Sequence, residues 1–161
     1  RELVKELDPE IRPVGVFVNV PMELVRTLLD DGTLALAQLH GQEDESYIRE
    51  LKTYTDKLII KAFSIKTADD IEKALQSPAD YILLDQGGGG TGKTFDWSLI
   101  PEIQRPFFLA GGIGTSNLGQ AIREIHPYAV DLSSSVETEK RKDPMKIRQV
   151  VDIVREIKII N

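Results

Sequence analysis

Six apolar runs recur along the 161 residues at almost constant spacing: Val14–Asn19, Leu34–His40, Leu58–Phe63, Tyr81–Asp85, Pro106–Ala110 and Tyr128–Ser133. Their starts lie 20, 24, 23, 25 and 22 residues apart, and each run is followed by a helical pattern. A strand, a returning helix and two short loops need about that length. The spacing therefore predicts an α/β chain with a parallel sheet, the layout of a (β/α)8 TIM barrel. Such a barrel needs eight strands, and six are written here. The expectation is a single, incomplete barrel domain over residues 1–161.

The helical segments carry their own punctuation. Val25, Leu28 and Leu29 share one face, with Pro21 expected in the first turn and Gly32 closing the helix. The next helix is expected near Asp44, burying Tyr47, Ile48 and Leu51. Thr67 and Asp70 read as a capping box. Leu118, Ala121, Ile122 and Ile125 follow helical spacing up to Pro127, and a helix after the Gly111–Gly114 stretch is expected to open at Thr115 or Ser116. Asp143-Pro144 reads as a cap and first-turn proline for a last helix with Ile147, Val150, Val151, Val154 and Ile157 inward. The run from Val14 to Val18 is continuously apolar, as for a strand buried on both faces.

Composition narrows the function classes. A net charge of −6 with no long basic run argues against nucleic acid or an anionic membrane as partner. The absence of cysteine removes disulfides and any Cys-based zinc site. His40 and His126 are the two histidines, and neither has a second histidine at ligand spacing, so no metal is expected. No apolar stretch approaches a membrane span and no signal peptide opens the chain, which places the protein in the cytoplasm as an expectation.

Barrels of this class carry their chemistry where strands end. Asp85 ends Tyr81-Ile82-Leu83-Leu84; a partly desolvated carboxylate there can deliver a proton, although Asp is also common as a loop cap. Asp131 stands two residues before Ser133 and suits either substrate hydroxyls or support of a neighbouring side chain. Gln38 and His40 close the Leu34–His40 strand, where His40 could donate a hydrogen bond or be structural. Ala110-Gly111-Gly112-Ile113-Gly114 and Ser133-Ser134-Ser135 end consecutive strands, the usual phosphate site of the barrel. Binding there is expected to rest on backbone amides and a short helix N-terminus, without Lys or Arg. The loop from Gln86 to Trp97 holds five glycines, and Gly87, Gly92, Lys93 and Thr94 satisfy the Walker A spacing. The serial barrel layout around them argues against a nucleotide-hydrolysing loop.

Read in order, Val16-Phe17-Val18-Asn19, Gln38-Leu39-His40-Gly41, Leu83-Leu84-Asp85, Gly89-Gly90-Thr91-Gly92-Lys93-Thr94-Phe95-Asp96-Trp97, Leu109-Ala110-Gly111-Gly112-Ile113 and Asp131-Leu132-Ser133-Ser134-Ser135-Val136-Glu137 resemble the phosphoribosylanthranilate isomerases of tryptophan biosynthesis. The resemblance spans essentially the whole chain, from the third strand of that barrel to its last helix, and retires the Walker A reading. It implies an Amadori rearrangement of N-(5-phosphoribosyl)anthranilate by general acid and base, with no cofactor and no metal. It implies Asp85 as the general acid, Asp131, Gln38 and His40 as substrate contacts, and Gly111, Gly112, Gly114, Ser133, Ser134 and Ser135 as the phosphate cradle. Ser135 stands where the family commonly has glycine. The family's base is a cysteine at the end of its first strand, and its anthranilate-binding arginine follows the second. Both belong to units preceding the sequence written here, so the competing expectation is a catalytically inactive fragment that binds phosphorylated ligands or a complementary barrel segment. The partner implied is a small phosphorylated substrate, with homodimerisation or association through open sheet edges also expected.

Overall fold

A run of aliphatic residues has no polar face for water, so it pairs edge to edge with its neighbours and is covered by helices. In the computed structural model, which describes residues 2–87 and 94–160, the six runs become β1 (Val14–Phe17), β2 (Leu36–Leu39), β3 (Leu58–Ser64), β4 (Tyr81–Asp85), β5 (Phe107–Leu109) and β6 (Ala129–Val130). They form one sheet in the order β1-β2-β3-β4-β5-β6. Val14–Phe17 pairs in parallel with Leu36–Leu39, which in turn pairs in parallel with residues 58–61. Phe108 and Leu109 pair in parallel with Ala129 and Val130. The helices are α1 (Glu2–Lys5), α2 (Met22–Asp30), α3 (Glu45–Tyr54), α4 (Ala68–Leu75), α5 (Leu118–Ile125) and α6 (Pro144–Ile160). The chain divides into two compact units, residues 1–62 with 75–82 and residues 63–74 with 83–161.

In the first unit Phe17, Val25, Leu29, Ala37, Leu39, Ile48, Leu51, Ile59 and Ala79 make one buried cluster. The helices contribute at helical spacing, Val25 with Leu29 and Ile48 with Leu51. Tyr47 packs against the cluster only partly buried. Asp44 caps α3 as expected, its Oδ1 accepting from the Tyr47 N–H at 2.9 Å. That hydrogen bond, with the Ser46 hydroxyl, holds the Asp44 carboxyl below its ordinary value of 3.8. Pro21 is the N-cap of α2, outside the first turn where the sequence placed it, with ψ of 136°. The first strand corrects a second expectation. Val14, Val16 and Val18 are 40%, 60% and 57% exposed while Phe17 is buried. Alternation sends the three valines to one face, and β1 ends the strand order, so that face is not covered as an interior strand's is.

In the second unit the expected box at α4 forms by half. The Asp70 carboxylate accepts from the Thr67 N–H at 2.9 Å, while the Thr67 hydroxyl donates to that same carboxylate at 2.9 Å. Helix α5 opens at Leu118, two or three residues later than expected, because Thr115 to Asn117 form a turn first. It ends on His126 in the left-handed conformation, φ 52°, whose N–H donates to the Ile122 carbonyl at 3.2 Å. His126 is thus a helix terminus. Asp143 caps α6 by accepting from the Met145 N–H. Of the apolar residues expected inward on α6, Val150 and Ile157 are buried but Ile147 and Val151 are 40% and 39% exposed. Five positions span a wider arc than the helix buries. A hairpin the sequence did not announce, β7 (Glu137–Thr138) with β8 (Arg141–Lys142), precedes this helix. Its turn places Glu139 and Lys140 at φ of 50° and 63°, values usually supplied by Asn or Gly. The glycine-rich Walker-like stretch lies largely outside the described residues.

Two substitutions test this packing. Leu51→Ala removes a fully buried side chain and is expected to cost about 2–5 kcal/mol in urea unfolding. Asp44→Ala should lower the unfolding midpoint at neutral pH. A carboxyl whose folded value is depressed stabilises above its unfolded value and loses that effect as pH falls through the folded one. The difference between Asp44→Ala and the parent should therefore shrink when the melts are repeated below pH 3.8.

Candidate functional site

The strand ends of the first unit are closed by buried charge. The His40 N–H donates to the Phe17 carbonyl at 2.7 Å, extending the ladder one residue past the end of β2. Gln38 is buried, and its Nε2 lies 3.0 Å from Nδ1 of His40. An amide nitrogen only donates, so with the amide so oriented Nδ1 is the acceptor of this hydrogen bond. Gly41 passes so close to Asn19 that a Cβ at this position would meet the Asn19 nitrogen at 2.8 Å, which requires glycine here. Asn19 itself is left-handed, φ 53°, and its Oδ1 accepts from the Gln42 N–H at 2.6 Å.

Beneath this turn lie two groups that sequence reasoning missed, Lys61 on β3 and Glu43, both buried and 3.5 Å apart. Lys61 Nζ donates to the Gly41 carbonyl at 2.7 Å and to the Leu39 carbonyl at 3.4 Å. The Glu43 carboxylate accepts from the N–H groups of Asn19 at 2.6 Å and Gly41 at 2.8 Å. Burial alone would raise the Glu43 carboxyl, but the backbone N–H groups and Lys61 outweigh it and hold the group below its ordinary 4.5. Burial pulls the Lys61 ammonium below the ordinary lysine value of 10.5, against the opposing pull of Glu43. The readable signal was a lone lysine inside the apolar run from Leu58 to Phe63.

The second unit brings Asp85 beside the Gly111 turn. The Asp85 carbonyl accepts from the Ile65 N–H at 2.8 Å, and the Ala110 N–H donates to the Leu84 carbonyl at 2.9 Å. Gly111 has φ of 82°, and a Cβ there would lie 2.7 Å from Oδ1 of Asp85. Only glycine lets the backbone come this near the carboxylate. Asp131 follows β6, exposed, its N–H donating to the Leu109 carbonyl at 2.9 Å. Asn117 braces the glycine turn: its Oδ1 accepts from the Gly114 N–H at 2.8 Å and its Nδ2 donates to the Gly112 carbonyl at 3.1 Å. The Gly114 amide is thereby committed within the protein. Gly114 serves instead by close approach, since a Cβ there would sit 3.1 Å from Cβ of Ser135.

Ser134 and Ser135 form a 3₁₀ turn with Val136, so the serines are themselves the short turn that was expected to follow them. The Ser135 hydroxyl oxygen is buried with no hydrogen-bond partner among the described residues. A cation also reaches this loop: Lys142 Nζ donates to the Ser133 carbonyl at 3.0 Å, to its Oγ at 3.3 Å and to Glu137 at 2.7 Å. Lys142 comes from the unannounced hairpin, which is why no strand-end motif pointed to it. Among the described residues no group of three His, Asp or Glu side chains could hold a metal ion, and no helix is long and apolar enough to cross a membrane.

The chain resembles proteins of known identity in sequence and in fold. A relative from Endomicrobium trichonymphae, named N-(5'-phosphoribosyl)anthranilate isomerase, is 46% identical over 155 residues, covering 94% of this chain and 76% of its own. The phosphoribosylanthranilate isomerase of Thermotoga maritima superposes with a TM-score of 0.83 at 36% identity, over 96% of this chain and 78% of that one. Monomeric forms of that dimeric enzyme superpose at 0.79, with 32% identity, 96% of this chain and 77% of theirs. An isomerase of this kind in complex with reduced 1-(o-carboxyphenylamino)-1-deoxyribulose 5-phosphate gives 0.81 at 33% identity, over 96% of this chain and 77% of that one. The family model described as N-(5'phosphoribosyl)anthranilate (PRA) isomerase matches residues 1–153, and the chain belongs to that family.

Proposed function

We propose that this chain carries the acid and phosphate-binding parts of a phosphoribosylanthranilate isomerase, an enzyme of tryptophan biosynthesis, and that its six strands correspond to strands three to eight of one TIM-barrel domain. The reaction turns an aminoaldose into an aminoketose. A proton is delivered to the ribose ring oxygen as the C1–O bond breaks and the nitrogen lone pair forms a C1=N bond. Loss of the C2 proton then gives an enamine that tautomerises to the ketone. Asp85 is the acid at the ring oxygen. Its strand-end position supports this, as does the Gly111 backbone beside it. The family's cysteine base has no counterpart among these 161 residues, which include no cysteine. Asp131, Gln38 and His40 contact the substrate, and no cofactor or metal takes part.

The observation that carries the phosphate assignment is the buried Ser135 hydroxyl without a partner among the described residues, facing the glycine turn at Gly114. A buried hydroxyl left unsatisfied costs free energy that an oxyanion in the turn removes. Gly111 and Gly112, at φ of 82° and 67°, together with Ser133 and Ser134, shape the same cradle. The site thus takes a small phosphorylated substrate, in the cytoplasm, with neither nucleic acid nor membrane as partner. The exposed valine face of β1 supports association with a second copy or along the sheet edge.

Two variants test the reading. In an active barrel that includes the family's cysteine base, Asp85→Asn should leave the KM for N-(5'-phosphoribosyl)anthranilate near that of the parent while kcat falls by roughly two to four orders of magnitude. Retention of more than about a tenth of kcat removes Asp85 from the acid role. Ser135→Ala strains no backbone, and should raise KM roughly tenfold or more, the effect of a hydrogen bond to a charged group, with kcat little changed. A crystal soaked in sulfate that leaves the cradle empty while its loops are ordered would refute the phosphate assignment.

A further inference from the structure

The buried lysine of β3 has no part in the acid chemistry, yet it meets the backbone at a telling place. Its ammonium bonds the carbonyls of Leu39 and Gly41, the residues on either side of His40. Glu43 completes the enclosure, bonding the N–H groups of Asn19 and Gly41 and facing Lys61 at 3.5 Å. The His40 backbone is therefore gripped from both sides. Its N–H is tied to Phe17 and its ring to Gln38. A buried ion pair is weak evidence of stabilisation, because desolvation consumes most of the Coulombic gain. Its directional effect is stronger: two carbonyls must point at one ammonium, and two N–H groups at one carboxylate.

We propose that Lys61, with Glu43 as its counter-ion, is a positioning residue that holds His40 and Gln38 in the geometry that meets the substrate. The inference rests on the reading that this strand end contacts the phosphorylated substrate. Lys61 touches neither the substrate nor the reacting atoms and acts through the Leu39–Gly41 backbone. The His40 ring is aimed by Gln38, and the lysine keeps the backbone from which both side chains project.

The experiment compares Lys61→Met, which leaves Glu43 unpaired, with the double variant Lys61→Met/Glu43→Gln, which removes both charges. In each, Kd for reduced 1-(o-carboxyphenylamino)-1-deoxyribulose 5-phosphate is expected to rise roughly tenfold or more. The ring 15N cross-peaks of His40 should move while those of His126, the other of two histidines, stay in place. A change of global stability alone would not move one histidine and spare the other. A folded double variant with Kd for that compound within about twofold of the parent and His40 unmoved overturns the proposal. Should neither variant fold, the parent decides. The Lys61 ammonium cross-peak should shift on titration with reduced 1-(o-carboxyphenylamino)-1-deoxyribulose 5-phosphate, and a stationary peak overturns the proposal. If the parent does not bind reduced 1-(o-carboxyphenylamino)-1-deoxyribulose 5-phosphate at all, the functional reading fails, and the His40 displacement still reports on the clamp.

Discussion

Parallel pairing is the constraint on which this molecule's chemistry depends. A parallel ladder leaves the last carbonyls of each strand to be met by whatever follows the next strand. In the first unit His40 supplies an N–H to Phe17; in the second, Ala110 supplies one to Leu84 and Asp131 one to Leu109. Each donor is the first residue beyond its own strand. Continuing the ladder by one step therefore fixes the residues from which the site is built, and no separate scaffold is needed to hold them.

The two units close their strand ends by different means. The first uses charge. Carbonyls of Leu39 and Gly41 converge on Lys61, N–H groups of Asn19 and Gly41 on Glu43, and the two side chains neutralise each other. Such a pair holds directions well and adds little net stability, since both ions have left water. The second unit uses absence. Gly111 lets the chain turn through a left-handed conformation against Asp85, and Gly114 lets Ser135 approach. A bare backbone can come near a carboxylate or an oxyanion where a side chain would exclude it.

Lys142 and Asn117 support the serine and glycine turns from outside the motif. Asn117 is the N-cap residue of α5, yet its side chain turns back to brace Gly112 and Gly114. Lys142 links the β7–β8 hairpin to Ser133 and Glu137. The hairpin turn spends φ-positive conformations on Glu139 and Lys140, a local cost of about 1 kcal/mol or more each. That cost is offset by the contacts the hairpin makes, among them the lysine laid against the serine loop.

Periodicity determined the succession of strands and helices, because apolar spacing is set by local geometry: two residues per repeat in a strand, 3.6 in a helix. Strand-end residues were legible for the same reason, and so Asp85, Asp131, His40, the glycine turn and the serine turn all lie where the spacing placed them. What periodicity cannot carry is the partner of each face. Val14 to Val18 read as buried, yet three valines are exposed, because burial belongs to the strand's place in the sheet and not to its composition. Lys61 read as an interruption in an apolar run; only folding brought Glu43, 18 positions earlier in the chain, against it. The same holds for Lys142 on Ser133 and for Ser135 facing Gly114. Residues distant in sequence meet only once the chain has folded, so the strand-end chemistry was decided locally and its alignment by tertiary structure alone.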